Sequence, residues 1–221
     1  MKRSTLGSRS FALADLRRAR GLLLRVESVS DYPVIGDVSE TLRFVIDAGL
    51  ANLVPPPTVE VHDLQGPITT APAHVTICLY DVIEDPSAKN RPRRRVPGPA
   101  GTFRIEKAPM ALLLRYLVTP WSGTRAADHQ ILGRVMQILY DGAIIHGAAL
   151  QGGLAGTSEA LKITMSPIPL QERFWLWQAV QKAYRISVTY EVRVVNLDAI
   201  EAQLVRPVAA RELDFHVPEP S

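Results

Sequence analysis

MALLLRYLVTPW (110–121), HQILGRVMQILYDGAII (129–145) and LWQAVQKAYRISVTYEVRVV (176–195) carry the reading that decides the fold. From Ala111 to Thr119 apolar side chains occupy both parities, Leu112, Leu114, Tyr116 and Val118 against Leu113 and Leu117. A strand of that kind is covered on both faces, which predicts a central position in a sheet. From Arg185 to Val194, Ile186, Val188, Tyr190, Val192 and Val194 alternate with Arg185, Ser187, Thr189, Glu191 and Arg193. This period of two predicts a strand with one face on the core and one in water. Between them Ile131, Leu132, Val135, Met136, Ile138 and Leu139 form a stripe at helical spacing, and Asp141-Gly142 is a stop signal. That helix is expected to lie on the sheet.

Working outward, Asp37 and Glu40 have capping-box spacing. Val38, Leu42, Val45, Ile46, Leu50 and Leu53 then mark one helix face, and Pro55-Pro56-Pro57 ends it. Thr58 to Asp63 and His74 to Glu84 read as strands of one sheet. Leu161 to Met165 reads as a short strand, and Leu170 to Tyr184 as a helix with Phe174, Trp177, Val180 and Tyr184 on one side. Strands and helices are mixed without a repeat. The expectation is a single α/β (α+β) domain over residues 36–213, with a mixed, mainly antiparallel sheet of about five strands and packed helices. Residues 1–35 are read as an N-terminal extension and 214–221 as a C-terminal tail.

The bulk properties set limits. The chain has 221 residues, a net charge of +3 and one cysteine, Cys78. A chain of that length buries about 70% of its unfolded surface, enough for one core without a metal or disulfide. One cysteine excludes an intramolecular disulfide framework and fits a reducing cytoplasm. No apolar run approaches the ~20 residues of a spanning helix, so stable membrane insertion is not expected. The charge is uneven: residues 1–25 hold seven Lys or Arg against one acid, Asp15. Within them FALADLRRARGLLLRV suits a short amphipathic helix for a partner groove or an anionic membrane. A loose terminal extension or a start assigned too far upstream is the preferred reading, because terminal segments are usually loose.

Residues 85–109 hold five prolines and seven basic residues with little apolar periodicity. They read as a loop or as an arm that orders on a partner. Arg91, Arg93, Arg94 and Arg95 would suit phosphates, but no interleaved aromatics offer base stacking, so nucleic acid is not the expected partner. Trp175 falls on a helix face with Gln171, Gln178 and Lys182, opposite Phe174, Trp177 and Val180. A large aromatic on a polar face marks an interface candidate. Trp121 is placed to cover the end of the sheet.

Residue types for chemistry are sparse. GGLAGTS (152–158) lacks the lysine of a phosphate loop and leads into a strand, so it reads as a flexible linker. Glu84 and Asp85 are neighbours in a turn, which seldom converge on one substrate. His62, His74, His129, His146 and His216 have no metal-ligand spacing. Cys78 has no evident His partner. No catalytic, cofactor-binding or metal residue is assigned, and no enzyme activity is expected; an unrecognised enzymatic site would need a deep pocket with convergent titratable groups.

The ordered series YLVTPW, HQILGRVMQILYDGAII and LWQAVQKAYRISVTYEV, with ICLYDVIEDPSAKNRP (77–92) before it, resembles the tail-terminator or cap proteins of phage-tail-like contractile injection systems. That group includes the last component of the Photorhabdus virulence cassette. The match runs from Asp37 to Arg211 and departs from the family pattern at Asp85-Pro86, where Asn-Pro is expected. The resemblance implies a structural role: a homo-oligomeric, hexameric ring that terminates the inner tube and holds the end of the contractile sheath. An adaptor or anchor of the same particle is the alternative. Arg91, Arg93, Arg94, Arg95 and Trp175 are then the expected partner contacts, with inner tube protein and sheath protein as partners.

Overall fold

The computed structural model describes residues 33–97, 102–197 and 202–205, with 195–197 and 202–205 given by their backbone alone. Its spine is β5 (Met110–Trp121), in which every residue but Met110 and Arg115 is buried. Both-parity hydrophobicity has the predicted result: β5 is internal, antiparallel to β2 (His74–Glu84) on one side and to β8 (Val188–Leu197) on the other. Beyond β2 lies β1 (Thr58–Val61), the one parallel neighbour in that sheet. Beyond β8 come β7 (Ala160–Met165) and then β6 (Ile144–His146), both antiparallel. The order is β1-β2-β5-β8-β7-β6, a mixed and mainly antiparallel sheet.

One face of this sheet carries two helices, α1 (Val34–Leu50) and α2 (Arg125–Asp141). Val38, Leu42 and Ile46 of α1 and Val135 and Leu139 of α2 join Leu114, Tyr116 and Val192 of the sheet in the main core. Ser39 donates to the Ile35 carbonyl, which leaves its oxygen to accept from the buried Tyr116 hydroxyl at 2.9 Å. Burial pushes that phenol up to about 12. The helices touch where α1 has no side chain: a Cβ on Gly49 would lie 2.5 Å from Ile138 Cδ1. At one end of the opposite face Trp177 of α3 (Leu170–Ala179) packs on Leu117, Trp121, Leu64 and Cys78, and nearer the other end Leu113 is buried as well. Trp121 donates to Thr76 Oγ1 at 2.9 Å and meets Trp177 edge-on at 6.1 Å, covering the sheet end as its position suggested.

Several boundaries differ from the sequence reading. The helix beginning near Asp37 starts at Val34, and Asp37 is no cap. Its carboxylate instead accepts from Gly153 N at 3.0 Å. Residues 152–158 are correspondingly no flexible linker. They open with a 3-10 turn whose Leu154 is buried, and the preceding Gln151 N donates to Thr41 Oγ1 of α1. At Gly152 φ is +59°, a left-handed conformation that glycine adopts freely. Helix α3 stops at Ala179, because Gln181 turns to φ +54°. Ser187 and Thr189, placed in water by alternation, are buried, so the wet side of β8 begins at Glu191.

The largest difference lies in 85–109. Asp85 caps a 3-10 turn (Pro86–Ala88), and β3 (Arg94–Pro97) and β4 (Phe103–Glu106) follow as an antiparallel pair. β9 (Ala202–Val205) adds to β4, giving a second sheet of order β3-β4-β9. The described residues thus hold six strands in the main sheet and three in the small one, against the five expected.

Candidate functional site

Two surfaces contain the residues singled out by sequence. The first is the small sheet and the segment leading into it. Arg91, Arg93, Arg94 and Arg95 are all exposed, the last two on β3. The Arg95 guanidinium lies 3.5 Å above the Phe103 ring of β4, which holds that side chain against the sheet. Arg104 pairs with Glu106 at 2.9 Å, so β4 contributes little free charge. Asp85 is turned inward: its carboxylate accepts from Ser87 N at 2.9 Å and Ser87 Oγ at 2.6 Å, and these bonds lower its pKa. Glu84 faces Lys89 at 3.9 Å instead, so the adjacent carboxylates shape a turn and do not converge.

The second surface is α3. Only Trp177 of its ten residues is buried. Trp175 is 58% exposed, and Phe174, expected on the covered side, is 47% exposed and stacks on Tyr184 at 5.2 Å. With Leu170 and Ile186 also exposed, the interface candidate is an apolar patch and not a single aromatic. Sequence missed this because a helix pegged by one residue has no real apolar stripe to read. The two surfaces are not brought together. Trp177 packs at the Leu117–Trp121 end of β5, whereas the small sheet is inserted between Glu84 and Met110 at its other end. Eleven residue steps along a strand separate those ends by about 36 Å.

A third feature was not anticipated. A groove of about 640 Å³ runs between α2 and β7, lined by Met136, Leu139, Tyr140, Ile163, Met165 and Tyr190 among others. Tyr140 on its rim is 84% exposed. Its cause is geometric: two helices about 10 Å wide cannot roof six strands spaced ~4.8 Å apart. On the face away from α1 and α2, Arg115 bridges Glu191 at 3.0 Å and Asp81 at 3.1 Å across three strands. The described histidines stay scattered, and among the described residues no three His, Cys, Asp or Glu side chains converge on a metal-sized point. Burial pushes the Cys78 thiol up to about 11, with the Asp63 charge adding to it, which suppresses the nucleophilic thiolate.

The family model of the Pvc16 N-terminal domain matches residues 37–211. The chain belongs to this family. Among solved structures, this Pvc16 N-terminal domain is similar to the sheath/tube terminator, in its extended state, of the extracellular contractile injection system PVC. The identity is 20%, the TM-score 0.58, and the match covers 84% of this chain and 64% of that one. It is also similar to the tube terminating cap of the anti-feeding prophage, at 20% identity and a TM-score of 0.56, over 82% of this chain and 60% of that one. The chain therefore spans less than two thirds of either relative, and at such identity the likeness is one of fold. No curated protein matches it. The family match takes in the basic segment, the small sheet and α3 together. Among the described residues no helix is long and apolar enough to cross a membrane.

Proposed function

We propose that this chain is a structural cap of a contractile injection system, a ring subunit that ends the inner tube and holds the terminal layer of the sheath. The observation that carries the reading is the common fold with a sheath/tube terminator and a tube terminating cap, together with membership of the Pvc16 N-terminal domain family. The role is mechanical and not catalytic. Six copies joined head to tail close into a ring matching the tube below, and closure is what distinguishes a cap from another tube layer. One side of the ring fits the last tube tier; the other offers no surface for a further one. The exposed α3 patch with Trp175, and the basic segment with Arg91, Arg93, Arg94 and Arg95, serve as contacts at opposite ends of the sheet. Aromatic anchors supply the energy of such a contact, and the arginines supply steering and register. The particle assembles in the cytoplasm.

The test is electron microscopy of particles made with and without this chain, with the subunit labelled. Label at the tube end, and tubes of irregular length with loose sheaths when the chain is absent, are the expected results. Tubes of unchanged, uniform length without it would overturn the reading, and label at the baseplate would establish the adaptor role instead.

A further inference from the structure

Gly133 sits in the middle of the 17-residue helix α2, where glycine is among the least favourable residues. The fold gives no reason for it, because among the described residues a Cβ built there meets nothing within 4 Å. Gly49 shows what a helical glycine does in this chain: it lets Ile138 of a second helix come close. Gly133 offers the same close approach with no helix against it. It opens onto the groove between α2 and β7, beside Met136, Gln137 and Tyr140 at the i, i+3, i+4 and i+7 spacing of one helix face. No residue lining that groove carries a charge at neutral pH.

The stripe that fits it is on α3. Leu170, Gln171, Phe174, Trp175 and Gln178 fall at i, i+1, i+4, i+5 and i+8, one helix face that excludes buried Trp177. All five are exposed and none is charged. An uncharged ridge entering an uncharged groove leaves no unpaired ion behind, whereas a charged partner would lose its hydration there. Each side exposes about 300–350 Å² of apolar surface, taking an aromatic side chain as about 150–250 Å². At the usual apolar share of roughly 57%, two such sides form the apolar part of a contact of about 1,200 Å², the lower end for specific interfaces. A ring gives every subunit two of them.

The two surfaces lie on opposite faces of the main sheet. Ile163 and Tyr190 of the groove belong to the core under α1 and α2, whereas α3 rests through Trp177 on Leu117 and Trp121 of the other face. One copy therefore cannot seat its own α3 in its own groove. A ridge on one face and a groove on the other repeat head to tail from copy to copy, the contact type that closes into a ring.

We infer that the 170–178 face of α3 in one copy seats in the α2–β7 groove of the next, as a helix in a groove. The inference rests on the ring reading above and names the contact that closes it.

Cysteine pairs test it in assembled particles carrying the full chain, where buried Cys78 offers no competing thiol. Gln137→Cys is combined with Gln171→Cys, or with Gln178→Cys one turn along, and the particles are treated with a short bismaleimide. A ladder of linked subunits from either double variant, and a dimer band when the two single variants are co-assembled, is the expected result. Gly133→Leu fills the notch: the isolated chain is expected to melt at or above the parent temperature, while its recovery at tube ends falls roughly tenfold or more. Tyr140→Ser, at an exposed position on the groove rim, repeats that loss without filling anything. A linked monomer with no dimer, or Gly133→Leu and Tyr140→Ser subunits that cap as the parent does, would overturn the inference. So would subunits seen at the tube end that link in neither register, because the ring then stands and a different partner holds the groove. Parent subunits that never reach the tube end, with tube length indifferent to the chain, would remove the ring reading itself and this contact with it.

Discussion

Gly49→Ala sets two effects of opposite sign against each other at the contact between α1 and α2. Alanine at a helical position is favoured over glycine by about 1 kcal/mol, and less in a last turn such as this. Against it, the new methyl would lie 2.5 Å from Ile138 Cδ1, 2.6 Å from Cγ1 and 3.1 Å from Cγ2. All three atoms belong to one β-branched side chain, whose χ1 in a helix has a single strongly preferred well. Ile138 cannot swing clear without entering a poor rotamer or moving α2, and overpacking of this kind costs about 1–3 kcal/mol. The overlap wins: the net expected effect is a loss of about 1–2 kcal/mol, or a fall in Tm of roughly 2–8 °C for a domain this size. Thermal and urea unfolding followed by circular dichroism measure it, and Ile138→Ala placed in the Gly49→Ala background should cost less than Ile138→Ala alone. A Gly49→Ala protein more stable than the parent, or strict additivity in that cycle, would refute the reasoning.

Asp128 accepts from Ser122 N and Oγ and pairs with Arg185 at 2.7 Å. Asp128→Ala is therefore expected to lose about 2–3 kcal/mol in urea melts, with a coupling to Arg185→Met that a double-mutant cycle reads. Cys78 should resist aromatic disulfide reagents at pH 8 until the protein unfolds. Its unfolded thiol titrates near 9.0 and the folded one near 11, so its contribution to stability is complete below pH 9 and is lost as pH rises towards 11. A melting series from pH 8 to 11 on parent and Cys78→Ala should show a shallower decline in the variant. Trp175→Ser should change stability by less than about 0.5 kcal/mol while weakening capping, whereas Trp177→Ala, buried one turn face away, should cost about 3–5 kcal/mol. Neutralising Arg93, Arg94 and Arg95 to Gln should leave the monomer folded, at a cost of about 1 kcal/mol from the Phe103 contact, yet reduce attachment of the subunit to particles.

The legible part of this fold was the part whose side chains answer to one neighbour at a time. The double-sided apolar run of β5 declared a central strand, and the Ile131–Leu139 stripe with its Gly142 stop declared α2, whose 17 residues run from Arg125 to Asp141. What failed was decided elsewhere in the chain. β3 and β4 are short and hidden among prolines and arginines, and β4 is stabilised by β9, about a hundred residues later. The start of α1 has no side-chain cap to announce it, since Pro33 holds that position. Asp37 looked like a cap and instead holds a glycine turn 116 residues away. Of the candidate contacts, the basic segment was visible as composition, but its division between two faces of a sheet was not. Trp175 was visible as an anomaly, but its neighbours Phe174 and Tyr184 looked like core until Trp177 proved to be the one fully buried residue of the helix.

That single peg has a consequence for change over generations. Nine of the ten residues in α3 lie outside the buried core, so most replacements among them leave folding nearly untouched. A lineage is free to rewrite this strip and acquire a different companion while the scaffold beneath stays the same. The tight spots, Gly49 and Gly152, permit no comparable drift.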